Sequence, residues 1–251
     1  MIRNTEQISM GASVAVIGPT ASGKEKLSVS ELAPRLGEVA IITGNSVRAA
    51  ALKAREQNLL TVCDGSVRFQ PHAADIIHDW FNRGSRGFHF EQVGDGVKAH
   101  IFFGDRDLNK AIHPRNTGEN LEPLAAHIAT HPLIRKAMYR FWRDSIARFG
   151  GAVVVTKTPK AYMPEAPVVA LTVDDITATA YRFRHGVNVF PTFDGELAYL
   201  RQRNELHRKK HLDGVPKGSM LLDMSPFLMH RAGMGKAADR VQEFLAQRMF
   251  R

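Results

Sequence analysis

The feature that most constrains this chain is the join between "SVAVI" (13–17) and "GPTASGKEKL" (18–27). A short apolar strand runs straight into a glycine-bracketed loop, and the loop runs into a segment with apolar residues at helical spacing. Gly18 and Gly23 permit backbone conformations that aim several N–H groups inward, and the following helix offers its positive end to an anion. Lys24 adds a mobile point charge. The pattern G-x-x-x-x-G-K-[ST] in this setting reads as a phosphate loop formed by Gly18, Pro19, Thr20, Ala21, Ser22, Gly23, Lys24 and Glu25, with ATP as the nucleotide expected there. Glu25 departs from the pattern. It stands where a hydroxyl normally meets phosphate-bound Mg2+, so the carboxylate either ligates the metal or turns outward.

The rest of the chain extends the same architecture. "EVAIIT" (38–43), "GGAVVVT" (150–156), "APVVALTV" (166–173) and "SMLLDMS" (219–225) are further apolar strand candidates. "SVRAAALKAREQ", "PLIRKAMYRFWRDSIARF", "ITATAYRFRHG", "ELAYLRQRNELHRKKHL" and "KAADRVQEFLAQRMF" are helix candidates, with Gly37 and Gly186 as stops and Pro132 as a start. Alternating buried strands and helices predict an α/β fold: a three-layer α/β/α core around a parallel sheet of about five strands. The middle differs. Turn signals at "GSRG", "GDG" and "FGD" separate short β-prone runs, as in a small antiparallel insert. The expected organisation is core at 1–57, a β-rich insert at 58–112, and core again at 113–251 with a mobile helical lid near 187–217.

Of the 251 residues 44% are hydrophobic and 24% charged, and the net charge is +9. That excess favours polyanionic partners, nucleotides among them. Cys63 is the only cysteine, so no intramolecular disulfide is possible and a reducing compartment is the simple inference. "MIRNTEQISMGA" lacks the apolar core of a signal peptide, and no apolar run approaches the roughly 18 residues of a membrane span. The expectation is a soluble cytoplasmic protein whose partners are nucleotide substrates, with neither membrane nor nucleic acid among them. Composition sets no oligomeric state.

Five stretches, in order along almost the whole chain, resemble the cytidylate kinases of the nucleoside monophosphate kinase group. They are the phosphate loop, "ITGNSVRAAALKA" (42–54), "GVKAHIFFGDRDL" (96–108), "LAAHIATHPLIRKAMYRFWRD" (124–144) and "YMPEAPVVALTV" (162–173). The resemblance implies transfer of the ATP γ-phosphate to a pyrimidine monophosphate, a modified one included, with Mg2+. In the second stretch the family shows D-[ST]-G-x-x-Y-R. Thr43, Gly44 and Arg48 match it, while Ile42 and Val47 replace the Asp and the Tyr. The resemblance makes Arg48, expected on the first turn of its helix, the clamp on the acceptor phosphate, with Thr43 and Gly44 beside the acceptor. Arg135 becomes a second acceptor contact, and Ala126 stands where the family has a base-reading serine.

The departures fall on particular tasks. Before "TPKAYMPEAP" the family has G-R-D, and here the letters are Val155, Thr156 and Lys157. Lys157 and Lys160 therefore flank the place of a missing acid, where they either contact phosphate or cap a strand end. In the lid the family runs close to R-D-x-R-D-x-x-R. Arg203 matches, Leu206 and His207 replace an arginine and an aspartate, Lys210 replaces an arginine, and Arg208 lies nearby. Phosphoryl transfer needs positioning and charge neutralisation, so Lys24, Arg203, Arg208 and Lys210 are the candidate catalytic cations. The second reading is a nucleotide-binding protein that has lost transfer. "GPTASGK" is also typical of tRNA isoprenyl transferases, but their D-S-x-Q-x-Y segment is missing.

No metal-ligating set is assigned. His207 and His211 have helical zinc spacing, but Arg208, Lys209 and Lys210 between them repel cations. Asp105 and Asp107 suit a hairpin turn with Arg106. Trp80 and Trp142 suit the core.

Overall fold

The computed structural model describes residues 13–63, 66–113, 121–207, 215–230 and 232–249. In chain order the strands are β1 (Val14–Ile17), β2 (Val39–Ile42), β3 (Leu60–Cys63), β4 (Ser66–Phe69), β5 (Phe88–Gln92), β6 (Ala99–Phe103), β7 (Arg106–Asp107), β8 (Ala152–Val155), β9 (Val168–Thr172) and β10 (Met220–Asp223). The α-helices are α1 (Lys24–Leu27), α2 (Ala33–Leu36), α3 (Thr43–Glu56), α4 (Ala73–Trp80), α5 (Glu122–Thr130), α6 (Pro132–Phe149), α7 (Asp175–Arg184), α8 (Phe193–His207), α9 (Ser225–Leu228) and α10 (Gly233–Met249). The chain forms two compact units, one of residues 1–40 with 152–251 and one of residues 41–151.

A central, mostly parallel sheet flanked by helices makes this an α/β fold. Its strand order is β10-β9-β1-β8-β2. β1 pairs in parallel with β8 (Val14 opposite Val153) and with β9 (Ala15 opposite Val168), and β9 pairs in parallel with β10. Every residue of β1, β2 and β8 is buried, as happens when both faces of a parallel sheet are covered. All five strands expected from the apolar runs are present, β10 being the one that is not covered on both faces. β10 lies at an edge, and its outer residue Leu221 is exposed.

The helix after the loop is one run with a wide turn inside it. Between α1 and α2, residues Ser28–Leu32 form a π turn in which the Ala33 amide donates to the Ser28 carbonyl. Pro34 follows directly. Its ring would crowd the carbonyl four residues back in a regular helix, and it has no N–H to donate, so the loosened turn sits where the sequence demands it. Gly37 ends the run in the left-handed region at φ 66°.

In the second unit α3 begins at Thr43, three residues earlier than its alanine-rich stretch suggests, so Arg48 lies on the second helical turn and not the first. Trp142 donates to the Ser46 hydroxyl of α3 at 2.9 Å, and both side chains are buried. The antiparallel strands form a hairpin, β3-β4, and a meander, β5-β6-β7. Between them lies α4, which β-prone patterning did not indicate. Its residue Trp80 meets Phe88 and Phe103 edge-on, and Phe90 stacks on Phe141, so both tryptophans are core residues. His100 and Asp107 are joined by a hydrogen bond and Arg106 pairs with Glu56, so these residues of the "GDRD" turn make surface contacts within the fold. Among the described residues no helix is long and apolar enough to cross a membrane.

At the carboxyl end of β9, Asp174 caps α7 by accepting from the Thr177 amide at 2.8 Å, and its own amide donates to the Ser225 hydroxyl at 3.0 Å. Burial raises the Asp174 carboxyl, but hydrogen bonds from Thr177 and Ser225 outweigh it and hold the group below the ordinary aspartate range. A lowered folded value means the stabilisation is full above the unfolded pKa and is lost as pH falls through the folded one. Asp174→Ala is expected to cost about 1 kcal/mol near neutrality, the worth of an N-cap. Melting the two proteins from neutral to strongly acid pH should show that difference shrinking toward zero. A difference that stays constant into acid would remove the ionised cap from the explanation.

Candidate phosphate-binding site

The sheet explains where the loop sits. From β1 the chain passes toward β2 on one side, while β9 and β10 lie on the other, so the strand order reverses at β1. Ligands of open parallel sheets bind outside the carboxyl ends of the strands at such a reversal. Residues 18–23 leave β1 at that end. Gly18 is a spatial necessity there: a Cβ on it would lie 2.8 Å from Ser22 Oγ, 3.0 Å from Leu171 Cβ and 3.1 Å from the Leu171 carbonyl oxygen. Gly23 has φ 74°, and a Cβ on it would press on Leu228 and Met234 at 2.7 and 2.8 Å. Ala21 also lies in the left-handed region at φ 62°. That conformation costs an L-residue about 1–2 kcal/mol, and such strain clusters at functional loops.

The loop's polar groups complete the cradle. Lys24 Nζ reaches back and donates to the Pro19 carbonyl at 2.7 Å, which holds the cation over the loop. The Ser22 amide approaches the same carbonyl at 3.4 Å. Ser22 Oγ is fully buried and has no hydrogen-bond partner among the described residues. A buried hydroxyl without a partner is rare, and here it lies in the turn beneath the lysine. Close backbone approach, two left-handed residues and a tethered ammonium together fit a phosphate group. Beside the loop, the Thr156 amide donates to the Val16 carbonyl at 3.2 Å, which fixes the end of β8 against β1.

The same residues do not supply a hydroxyl for Mg2+. Glu25 and Lys26, the two positions after Lys24, are both exposed. Among the described residues no cluster of three or more His, Cys, Asp or Glu side chains is placed to hold a metal. Mg2+ commonly keeps several waters and binds through nucleotide phosphates with one or two carboxylates. The loop's geometry is thus suited to an anion.

The described part of the segment expected as a lid is tied to α7 within the first unit. Glu196 of α8 is fully buried. It accepts from Arg182 of α7 and from the amides of Val189 and Phe190 at 2.7 and 2.8 Å. Asn204 donates to Asp175 at 2.9 Å. These contacts tie α8 to α7 and shape the connection between them, a role that the charged pattern of α8 did not reveal. Arg203 donates to the Tyr199 hydroxyl, with its guanidinium 5.8 Å from that ring's centroid. Arg208, Lys210 and His211 lie outside the described residues, as does the side chain of His207.

The expected acceptor residues belong to other surroundings. Lys157 is exposed just beyond β8 in the first unit. In the second unit Thr43 is buried at the start of α3, and Gly44 is half-buried beside Arg48. Arg48 Nε and Nη2 both lie 2.8 Å from one oxygen of Glu122, and Nη1 donates to Asn45 Oδ1 at 3.3 Å. The side chains of Arg48 and Glu122 are 30% and 38% exposed, so this ion pair is open to solvent and worth about 0.2–1 kcal/mol. Arg135 is exposed on the first turn of α6, and Ala126 is exposed on α5. Nothing in the sequence pattern pointed to Glu122, because its partner is 74 residues away.

No family model matches the chain, and no curated protein matches it in sequence. Among solved structures it is similar to shikimate kinase from Bacteroides thetaiotaomicron, with a TM-score of 0.48 and 11% identity over 94% of this chain and 98% of that one. It is similar to an uncharacterized protein from Eubacterium ventriosum at TM-score 0.45 and 11% identity, covering 94% and 99%. Dephospho-CoA kinase from Campylobacter jejuni gives 0.40 and 14%, covering 94% and 98%. These partial overlaps at low identity do not decide an activity, and the functional reading rests on the loop.

The fit at Gly18 is directly testable. Gly18→Ala must push the loop away from Leu171, at about 1–3 kcal/mol for an overpacked methyl. The expected outcome is a lower melting temperature together with a loss of ATP affinity, measured by titration calorimetry on the folded fraction. Unchanged affinity in a folded variant would show that the loop's approach to β9 does not shape the phosphate site.

Proposed function

We propose that the chain is an ATP-dependent phosphotransferase of the nucleoside monophosphate kinase type. In this reading it resembles the cytidylate kinases and acts on a pyrimidine monophosphate, a modified base included. One observation carries the proposal: a strained glycine-bracketed loop with a tethered lysine, at the carboxyl end of the central strand where a parallel sheet reverses its order. Lys24 and the loop amides would hold the ATP phosphates. Arg203, with Arg208 and Lys210, would neutralise charge on the group in transit. Thr43, Gly44, Arg48, Arg135 and Lys157 would hold the acceptor. Mg2+, when bound with ATP, would offset phosphate charge. The proposed setting is the cytoplasm, with nucleotides as the partners.

A second reading is favoured by a specific observation. Neither exposed residue after Lys24 carries a hydroxyl, and the Asp expected before "TPKAYMPEAP" is Lys157. A protein that binds a nucleotide without transferring phosphate would show both losses. The test is a panel of common and modified monophosphates, incubated with ATP and Mg2+ and read by product formation, with Glu25→Ser beside the wild type. Turnover of one acceptor establishes the kinase. A rise of tenfold or more in Glu25→Ser, about 1.4 kcal/mol off the barrier, would place the limitation at the metal. ATP binding without turnover of any acceptor by either protein would leave the nucleotide-binding reading in its place.

A further inference from the structure

We infer that Glu122 is an internal competitor for the anion site of Arg48, a carboxylate that an incoming phosphate must displace. The inference rests on the proposed acceptor role of Arg48 and adds a control to it. The geometry has three parts. First, the guanidinium is already engaged as it would be by a ligand, since Nε and Nη2 converge on one carboxylate oxygen at 2.8 Å. Arginine presents this donor edge equally well to carboxylate and to phosphate. Second, the pair is reachable, with both side chains about one-third exposed. Third, there is room beside it. Among the described residues, and leaving aside the backbone of its own helix, a Cβ built on Gly44 would meet only Arg48 Nη1 within 4 Å, at 3.7 Å.

The contest between the two anions has a direction. Glu122 contributes one negative charge through a single oxygen to a solvent-screened pair, and such pairs hold weakly. A phosphate monoester carries more charge and several acceptor oxygens, so it can bind both faces of the donor fork. Asn45, which is buried and accepts from Nη1, keeps the guanidinium in place during the exchange. Glu122 therefore raises the concentration of acceptor needed for occupancy and spares Arg48 an unpaired charge between turnovers. Ligand and carboxylate exclude each other at one group, so no distant conformational change is required.

The experiment is a double-mutant cycle on the full chain. The wild type, Glu122→Gln, Arg48→Ala and the double variant are titrated calorimetrically with CMP and, separately, with inorganic phosphate, beside a thermal melt. The amide keeps the size of Glu122 and removes its charge. Glu122→Gln is expected to bind both probes about twofold to fivefold more tightly, the release of a pair of this exposure. In the Arg48→Ala background the same change should bring no gain. Glu122→Ala is a second variant should the amide destabilise the chain. Equal or weaker binding in both Glu122 variants would overturn the inference. A gain that persists without Arg48 would also overturn it, since that would be the general field of a carboxylate. Failure of the kinase reading is separable: phosphate would still bind more tightly to Glu122→Gln while no monophosphate is turned over by the wild type.

Discussion

The contact on which the first unit's site depends is the approach of Gly18 to Leu171. β1 runs in parallel beside β9, and the chain leaves β1 so close to that neighbour that a single methyl has no space. This approach starts the loop at a fixed place and angle. Ala21 and Gly23 then turn through the left-handed region, and α1 begins at Lys24. The lysine amine can return to the Pro19 carbonyl only because the loop is that tight. The shape of the loop is therefore a product of sheet packing.

Charge is arranged with less economy. Lys24 donates to the Pro19 carbonyl. Arg203 rests on Tyr199, and Arg48 is held by Glu122. The buried Glu196 is different, because its carboxylate is enclosed by Arg182 and two backbone amides. Breaking such an enclosed set is expensive, whereas exchanging an exposed partner is cheap. Strength of pairing thus separates groups that hold the fold from groups available to a ligand. By that criterion Glu196 and Arg182 are structural, and Arg48 is exchangeable.

Much of the sheet was legible in the sequence, since strands buried on both faces must be continuously apolar, and β1, β2, β8 and β9 are short runs of that kind, while β10 is an edge strand with only part of that pattern. The loop was legible because its glycines and lysine have fixed spacing. The start of α3 was not, because Thr43, Gly44 and Asn45 are poor helix formers that tertiary packing overrides. The π turn follows from Pro34 only once the helix is known to continue through it. α4 was hidden among β-prone neighbours whose aromatic residues serve one core. Glu122 and Leu171 were beyond reach for a different reason: each acts on a residue far away in the sequence, and one sequence carries no mark of such pairs. Arg208 and Lys210 lie outside the described residues, so their part in the site stays a sequence expectation.

In the proposed reading the loop binds the phosphates of ATP through Lys24. Titration calorimetry of ATP into the wild type and Lys24→Ala, at one salt concentration and with a thermal melt of each, tests it most directly. Loss of a charged hydrogen bond should weaken ATP by about 1.5–3 kcal/mol, roughly tenfold to more than a hundredfold, while the melting temperature changes little. Equal ATP affinity in the two proteins, or no ATP binding by the folded wild type, would contradict it.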